Sequence, residues 1–451
     1  MRDPAASLRF EDDRVIRDLK SPLGPDHFLH SDLARKWVDR GDLVQFKFES
    51  DCMVIGRRIP FVTQPAEWSD AQLHAAGALT LRLQVEAVAA GYDMKDASAW
   101  NVLFDGARPV FCDLMSFDRL LNRKWWALGQ FARHFIFPLV ASRRCGLSGH
   151  VVHTMWRDGM PVERARQLFG RSIFLTRYGA LMLGDGRSAL HSDVSSLQGG
   201  PRTSSAARVE EAQDFRRRVH ASLGWMMEGL SAKAVASTGA SGWSGYRGDR
   251  PHYRDASLVT KRSLVTEWMR HVRPAWVLDL GCNTGEFSII AAENGARVVS
   301  VDADHDSIAT LFQAQANQTA IHPMVSVLDD LRGGRGWAAS EHPGLTERLD
   351  GRMDLVMVLA LTHHLAVGAA VPLDAIARFV FSCSRDAAIV ELIEAEDPQL
   401  RSLCDQRQRD PSEFTAERQR AAFLGAGFEL IQEVSLDGAM RSLVLFRKLS
   451  R

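Results

Sequence analysis

The fold of the second half of this 451-residue chain is decided by the stretch VLDLGCNTG, residues 277–285. An apolar run with strand character leads directly into a turn that contains two glycines, and helical spacing follows. A turn whose backbone closely approaches a ligand needs conformations with positive φ. Gly281 and Gly285 meet this need, and Asn283 between them belongs to the residue types that best tolerate the left-handed region. The stretch therefore predicts a strand, a ligand-binding turn and a helix in succession.

An acidic residue follows this turn at the spacing that nucleotide-binding units require. Asp302 ends the next apolar run, about 20 residues after Gly281. A carboxylate in this place accepts hydrogen bonds from ribose hydroxyls. Dinucleotides and S-adenosylmethionine are both bound in this arrangement, so the spacing alone leaves both classes of ligand open.

Outward from this unit, short apolar runs alternate with stretches of helical period. The predicted strands are 276–280, 297–302, 324–328, 354–361, 387–392, 429–434 and 442–447. The predicted helices are 286–294, 306–316, 373–383 and 416–426. Strands that alternate with helices form a mainly parallel sheet with helices on both faces, and the last two strands, which lack a helix between them, predict an antiparallel pair at one edge. We expect an α/β domain with a Rossmann-like, seven-stranded sheet.

Composition excludes several classes of protein. The 55 basic residues balance the 55 acidic ones, whereas a protein that coats nucleic acid needs clustered excess cations. No apolar run of about 18 residues is present, so we expect no membrane span, and the charged N-terminus has no apolar signal segment. The six cysteines lack the spacing of metal ligands, which predicts reduced thiols, a cytoplasmic location and no metal site.

The chain divides at residues 228–252, which are rich in glycine, serine and alanine and have the composition of a linker. We expect an N-terminal α+β domain over 1–227 and the α/β domain over 253–451. Within the first half, the sequence predicts a helix over 71–90, a hairpin of strands 102–104 and 110–112, and an aromatic-rich buried helix over 126–140. Residues 185–207 are expected to form a loop.

Three polar residues of the first half have the spacing of a kinase-type catalytic loop and its metal-binding aspartate. Asp96 would orient a hydroxyl nucleophile, and Asn101 and Asp113 would hold magnesium. Met94 stands where such a loop has histidine, and no glycine-rich phosphate loop precedes it. We therefore expect a degenerate kinase-like half that serves the second half. The alternatives are a phosphotransferase or nucleotide-binding protein that uses Asp96, Asn101 and Asp113, a bifunctional enzyme, and coincidence.

The sequence DLGCNTG resembles the first motif of class I S-adenosylmethionine-dependent methyltransferases more than the GxGxxG turn of nicotinamide-dependent enzymes. This resemblance implies S-adenosylmethionine as the cofactor, bound at the turn that contains Asn283 and Gly285. It also implies that Asp279 and Gly281 line the methionine end and that Asp302 holds the ribose. Asp329 or Asp330, expected at the end of the third strand, would contact the adenine amine.

Two further segments contain candidates for the residues that would act on the methyl acceptor. The stretch DLVMVLALTHHL, residues 354–365, resembles the fourth-strand motif of small-molecule methyltransferases and ends in His363 and His364. Histidine is the side chain best suited to remove a proton near neutral pH, although one of two adjacent histidines commonly only packs. Glu391 lies within an apolar strand, where a carboxylate must be paired or face a cleft, and it is the third candidate for a catalytic role.

Residues 245–449 as a whole resemble a group of bacterial methyltransferases related to the nodulation protein NoeA. The segments that carry the resemblance are DLGCNTGEFS, LALTHHLAVG, VELIEAEDP and RSLVLFRK, and the first half adds PAEW (65–68), KDASAWNVLF (95–104) and PVFCDLMSFD (109–118). The resemblance implies methyl transfer to a small-molecule or glycan-like acceptor. A noncatalytic scaffold that binds the cofactor stays open as an alternative.

Overall fold

The computed structural model describes residues 6–121, 124–182, 206–231, 255–436 and 438–449. Most of the predicted loop 185–207 and of the predicted linker 228–252 lies outside these residues. The chain forms two compact units, residues 1–239 and residues 240–451. Each unit is described by itself.

The N-terminal unit is α+β. Its strands are β1 (Ala6–Phe10), β2 (Arg14–Leu19), β3 (Phe46–Ser50), β4 (Met53–Arg57), β5 (Tyr92–Met94), β6 (Val102–Asp105), β7 (Arg108–Phe111) and β8 (Phe117–Arg119). The first four form an antiparallel sheet in the order β1-β2-β4-β3, and β5–β8 and β6–β7 form two antiparallel pairs. Its helices are α1 (Asp32–Arg40), α2 (Asp70–Ala89), α3 (Leu128–Phe131), α4 (Phe137–Cys145), α5 (Gly149–Met155), α6 (Val162–Phe169) and α7 (Ala206–Glu228).

Local signals explain where α2 and the hairpin form. The Ser69 side chain accepts from the Gln72 backbone while the Gln72 side chain accepts from the Ser69 backbone, a capping box that starts α2. The predicted hairpin of β6 and β7 forms, but it turns at Gly106 and Ala107, one residue later than the Asp105-Gly106 turn that the sequence predicts, with Gly106 at φ 67°.

The aromatic segment differs from the single helix predicted over 126–140. A π-helical turn over Ala132–Ile136 separates α3 from α4. Pro138 has no N–H for the carbonyl of His134, and that carbonyl accepts instead from Nε2 of His153 at 2.9 Å. The proline thus accounts for a break that hydrophobic period alone does not reveal.

The C-terminal unit is an α/β sheet of seven strands. They are β9 (Trp276–Leu280), β10 (Arg297–Asp302), β11 (Ile321–Val325), β12 (Met353–Val358), β13 (Ser384–Ile393), β14 (Phe428–Ser435) and β15 (Arg441–Lys448). Their order is β11-β10-β9-β12-β13-β15-β14; the first five are parallel, and β15 is antiparallel to both of its neighbours. The helices are α8 (Asp255–Val272), α9 (Glu286–Glu293), α10 (His305–Ala314), α11 (Leu345–Leu349), α12 (Leu373–Cys383), α13 (Pro398–Arg407) and α14 (Ala416–Ala426).

This order confirms the mainly parallel sheet with an antiparallel edge pair. It also fixes the place of the site, because the direction of winding reverses between β9 and β12, and ligands of open α/β sheets bind in the crevice beyond the carboxyl ends of the strands at such a switch point. Most residues of the central strands are buried, and Val277, Val298, Leu355 and Ile389 have no exposed surface, as a sheet covered on both faces requires.

One predicted strand was displaced along the chain, and one helix was not predicted. The third strand is Ile321–Val325 and not 324–328, so Asp329 and Asp330 lie in a turn beyond the strand and not at its end. Pro323 obscured the start of this strand, but β11 is at the sheet edge, where proline is tolerated. Helix α13 was not predicted, although Asp397 caps it and Pro398 occupies its first turn.

Candidate active site of the C-terminal unit

The turn between β9 and α9 has the predicted left-handed residues. Gly281, Asn283 and Gly285 have φ values of 73°, 49° and 82°. A Cβ atom on Gly285 would lie 2.3 Å from Cδ1 of the buried Leu311, so a side chain there requires this leucine or the turn to move. Gly285 therefore suits this position both by its positive φ and by its close contact with Leu311.

Asp302 is bound to this turn. One oxygen of its carboxylate accepts from the backbone N–H of Asn283 at 2.7 Å, and the other accepts from the N–H of Asp304 at 2.8 Å. Burial raises the pKa of Asp302, while the backbone donors oppose that rise. A carboxylate offers about four lone-pair sites, so capacity for two ribose hydroxyls remains.

Asp279 lies inside the sheet beneath the turn and is 2% exposed. Oγ of Ser288 donates to its carboxylate at 2.6 Å, and Oγ of Ser300 donates in turn to Ser288 at 2.8 Å. Burial raises the pKa of Asp279 to about 6; the charge of Asp302 adds to the rise and that of Lys261 opposes it. Asp279 is thus a buried carboxyl group whose ionised form gains from a nearby cation.

Asp329 and Asp330 are both exposed in the turn after β11. Their proposed contact with adenine stays a prediction.

His363 and His364 follow β12 at its carboxyl end. His363 is 2% exposed, and neither of its ring nitrogens hydrogen-bonds to any residue that the structure describes. The rings of the two histidines have their centroids 4.1 Å apart. Burial lowers the pKa of His363 well below its usual range, with smaller contributions from His364 and Arg441, while Glu391 opposes the shift. His363 is therefore a neutral imidazole with acceptor capacity.

The backbone around the histidines is irregular. Ala360 has a positive φ of 53°, which costs an alanine of the order of 1–2 kcal/mol. A π-helical turn over His364–Gly368 follows directly. Both features are enriched at functional sites, where the surrounding structure maintains them.

Glu391 is fully buried on β13 and is paired, one of the two outcomes expected from the sequence. Its Oε2 accepts from Nζ of Lys261 on α8, and its Oε1 accepts from Arg441 on β15 at 3.1 Å. Arg441 also donates to Asp397 at 2.8 and 3.2 Å and to Gln399 at 2.6 Å. Sequence reasoning missed Lys261 and Arg441; the signal for Arg441 was a charge at the start of an apolar strand.

The predicted set in the N-terminal unit does come together. Nδ2 of Asn101 donates to the carbonyl of Asp96 at 3.2 Å and to Oγ of Ser116 at 3.4 Å. Ser116 donates to one oxygen of Asp113 at 2.6 Å, and the other accepts from the N–H of Met115 at 3.1 Å. Arg17 lies 3.5 Å from the same carboxylate. The described residues contain no group of three or more His, Cys, Asp or Glu side chains that could hold a metal ion.

Comparison with known proteins agrees with the strand order and the turn. Residues 252–433 match the family model described as methyltransferase domain. The C-terminal unit is a class I S-adenosylmethionine-dependent methyltransferase domain, and S-adenosylmethionine is its cofactor. The chain as a whole is similar to nodulation protein NoeA of Rhizobium meliloti (strain 1021), with 27% identity over 468 residues that cover 99% of this chain and 95% of that protein.

Solved methyltransferase structures resemble part of the chain. Magnesium protoporphyrin IX methyltransferase from Synechocystis PCC 6803 has a TM-score of 0.33 and 16% identity, and covers 46% of this chain and 93% of its own. N-methyltransferase NodS from Bradyrhizobium japonicum WM9 has a TM-score of 0.33 and 11% identity, and covers 44% of this chain and 98% of its own. The similarity to NoeA extends through the N-terminal unit, whereas a kinase-like fold of that unit is not confirmed. In the parts of the chain that the structure describes, no helix has both the length and the apolarity to cross a membrane.

Proposed function

We propose that this protein transfers the methyl group of S-adenosylmethionine to a small-molecule or glycan-like acceptor, and that His363 receives the proton that the acceptor loses. The observation that carries this proposal is the buried, neutral His363, which has acceptor capacity at the carboxyl end of β12, beside the switch point of the sheet. The similarity to a nodulation protein and the balanced charge of the chain are consistent with an acceptor that is not a nucleic acid.

The residues of the turn fit the cofactor. Gly281, Asn283 and Gly285 would form the cradle, Asp302 would accept from the ribose hydroxyls, and Asp279 would favour the positive charge at the methionine end. The exposed Asp329 or Asp330 would accept from the adenine amine. The cofactor supplies an activated methyl group, so the chain's own part is to orient the acceptor, exclude water and take up a proton.

Among the three candidates for proton removal, His363 is preferred. Both oxygens of Glu391 already accept from buried cations, which leaves it better suited to stabilise a charged neighbour than to take up a proton. His364 is half-buried beside His363 and is the second candidate.

The test uses the full chain and S-adenosylmethionine with a radioactive methyl group. Oligosaccharides and polar metabolites are offered as acceptors, with RNA and protein as comparison substrates. We expect the wild-type protein to label an oligosaccharide or polar metabolite. We expect His363→Ala to lose this transfer while its affinity for S-adenosylmethionine is unchanged. Label transferred only to RNA or protein would overturn the acceptor class, and full activity of His363→Ala would overturn the assignment of the base.

For the N-terminal unit we propose an accessory role in methyl transfer. Asp113, which a phosphotransferase would use for magnesium, accepts from Ser116 and the N–H of Met115 and already has the cation Arg17 at 3.5 Å. The spacing of the six cysteines supports a cytoplasmic location for the whole protein.

A further inference from the structure

Two buried carboxylates lie on one face of the sheet at its carboxyl edge. In the register of the sheet, Asp279 on β9 pairs with Met357 on β12, and Met357 pairs with Ile389 on β13. Glu391 follows Ile389 by two residues, and side chains two apart on a strand point to the same face. Asp279 and Glu391 are 2% and 0% exposed, and burying a carboxylate is costly unless a cation accompanies it.

Lys261 of α8 is a buried cation that pairs with Glu391. Its ammonium donates to Oε2 of Glu391 and lies over the ring of Phe287 at 4.8 Å from the ring centre, and its positive charge opposes the rise in the pKa of Asp279. Its own side chain is 5% exposed. The next residue, Arg262, pairs with Glu286 in the first turn of α9 and so fixes α8 against the cofactor turn.

We propose that Lys261 is a positioning residue that links the cofactor end of the site to its acceptor end, because its ammonium holds Glu391 directly and lies over Phe287, the neighbour of the Ser288 that donates to Asp279. This inference rests on the proposed place of Asp279 at the methionine end of the cofactor. It assigns a role to a residue outside the motifs that predicted the site.

The charged groups around each carboxylate differ, and this difference decides what the loss of the Lys261 ammonium would leave behind. Glu391 also accepts from Arg441, which in turn is neutralised by Asp397. Asp279 has Ser288 as its hydrogen-bond donor and the like charge of Asp302 nearby, with Lys261 as the cation that acts on it. Removing the ammonium therefore leaves Glu391 paired but leaves Asp279 beside a like charge, so Asp279 takes up a proton at higher pH.

The experiment measures the affinity of the full chain for S-adenosylmethionine by calorimetry from pH 5.5 to pH 8. The wild-type protein should bind more weakly as pH falls through the pKa of Asp279, which burial raises to about 6, because the cationic cofactor favours the carboxylate. In Lys261→Met the midpoint of this loss should rise by about one pH unit, so that binding at pH 6.5 is several-fold weaker than in the wild type while binding at pH 8 is similar. Lys261→Arg should restore the wild-type profile.

The matched control is Lys448→Met, which removes another lysine of the same unit. Lys448 on β15 donates to the carbonyls of Phe381 and Ser384 and touches none of the site residues in the contacts described. Its variant should keep the wild-type profile. If Lys261→Met fails to fold, the double variant Lys261→Met/Glu391→Gln removes both members of the pair and should still show the raised midpoint.

Failure of this inference is distinguishable from failure of the proposed site. Asp279→Asn should bind weakly and without the pH dependence, and this result supports the placement of Asp279. If it does so while Lys261→Met keeps the wild-type midpoint, the role of Lys261 is overturned. If the wild type and Asp279→Asn have the same profile, the placement of Asp279 is wrong and the inference falls with it.

Discussion

The two units use similar polar residues after short strands, but they use them differently. In the N-terminal unit, Asp113 accepts from Ser116 and from the backbone of its own loop, and the guanidinium of Arg17 lies 3.5 Å from its carboxylate. In the C-terminal unit, Asp302 binds two backbone N–H groups and retains acceptor capacity, and the ring of His363 is buried without a hydrogen bond to any described residue. Polar groups that a fold leaves unsatisfied at a cost are better indicators of function than polar groups that satisfy each other.

The largest expected effect concerns the turn that holds the cofactor. Gly285→Val places a branched side chain at φ 82° with Cβ 2.3 Å from the buried Leu311, so the turn is strained and the turn or Leu311 must move. We expect S-adenosylmethionine affinity to fall by roughly a thousandfold or more, about 4 kcal/mol, as measured by calorimetry.

Gly295→Ala is the control for backbone strain alone. Gly295 also has a positive φ, 93°, but no atom lies within 4 Å of an added Cβ. It should lower stability slightly and leave cofactor affinity unchanged. Equal losses of affinity in the two variants would show that the turn has no special role.

The second effect separates chemistry from binding. His363→Ala should lower turnover by roughly 10²- to 10⁴-fold, since general base catalysis contributes about that much, and should leave the affinity for S-adenosylmethionine nearly intact. His364→Ala serves as the neighbouring control and should have a smaller effect. A parallel loss of cofactor affinity in His363→Ala would place this residue in the binding site and remove it from the chemistry.

The third effect concerns the free energy of unfolding that the protein loses because the carboxylate of Asp279 is buried. Burial raises its pKa from 3.8 to about 6, so between these values the unfolded chain loses its proton first and the free energy of unfolding falls as pH rises. Asp279→Asn should abolish this fall and stabilise the cofactor-free protein above pH 6 by up to about 3 kcal/mol. It should weaken cofactor binding at the same time.

The measurement is thermal unfolding at pH 5 and pH 8, followed through the transition that S-adenosylhomocysteine shifts upwards. Asp354→Asn is a control in the same sheet, because this carboxylate caps the start of β9 through the N–H groups of Ala275 and Trp276 and is partly exposed. It should lose stability rather than gain it. A loss of stability in Asp279→Asn at pH 8 would contradict the interpretation.

The features that the sequence predicted depend on residues close together in the chain, whereas the features that it did not predict depend on residues far apart. The strands Trp276–Leu280 and Arg297–Asp302 and the helices Leu373–Cys383 and Ala416–Ala426 were predicted to the residue, because hydrophobic period and capping are local signals. The pairing of Glu391 with Lys261 joins residues 130 positions apart, and no local pattern specifies such a contact. The sequence therefore named Glu391 as a residue that needs a partner but could not name the partner.

The smallest effect tests the N-terminal side of the comparison. If Asp113 only holds its loop, Asp113→Ala removes the acceptor of Ser116 and of the N–H of Met115 and should lower stability by about 1–2 kcal/mol. Affinity for S-adenosylmethionine should not change, and calorimetry with magnesium and ATP should give no saturable heat in either protein. Asp113→Asn, which retains one acceptor oxygen, should lose less stability than Asp113→Ala, and Asp32→Ala, which removes an exposed carboxylate of α1, should lose still less. The opposite result would be saturable, magnesium-dependent binding of ATP by the wild type that disappears in Asp113→Ala. It would make the N-terminal unit a nucleotide-binding domain, and both units would then use a carboxylate to bind a ligand.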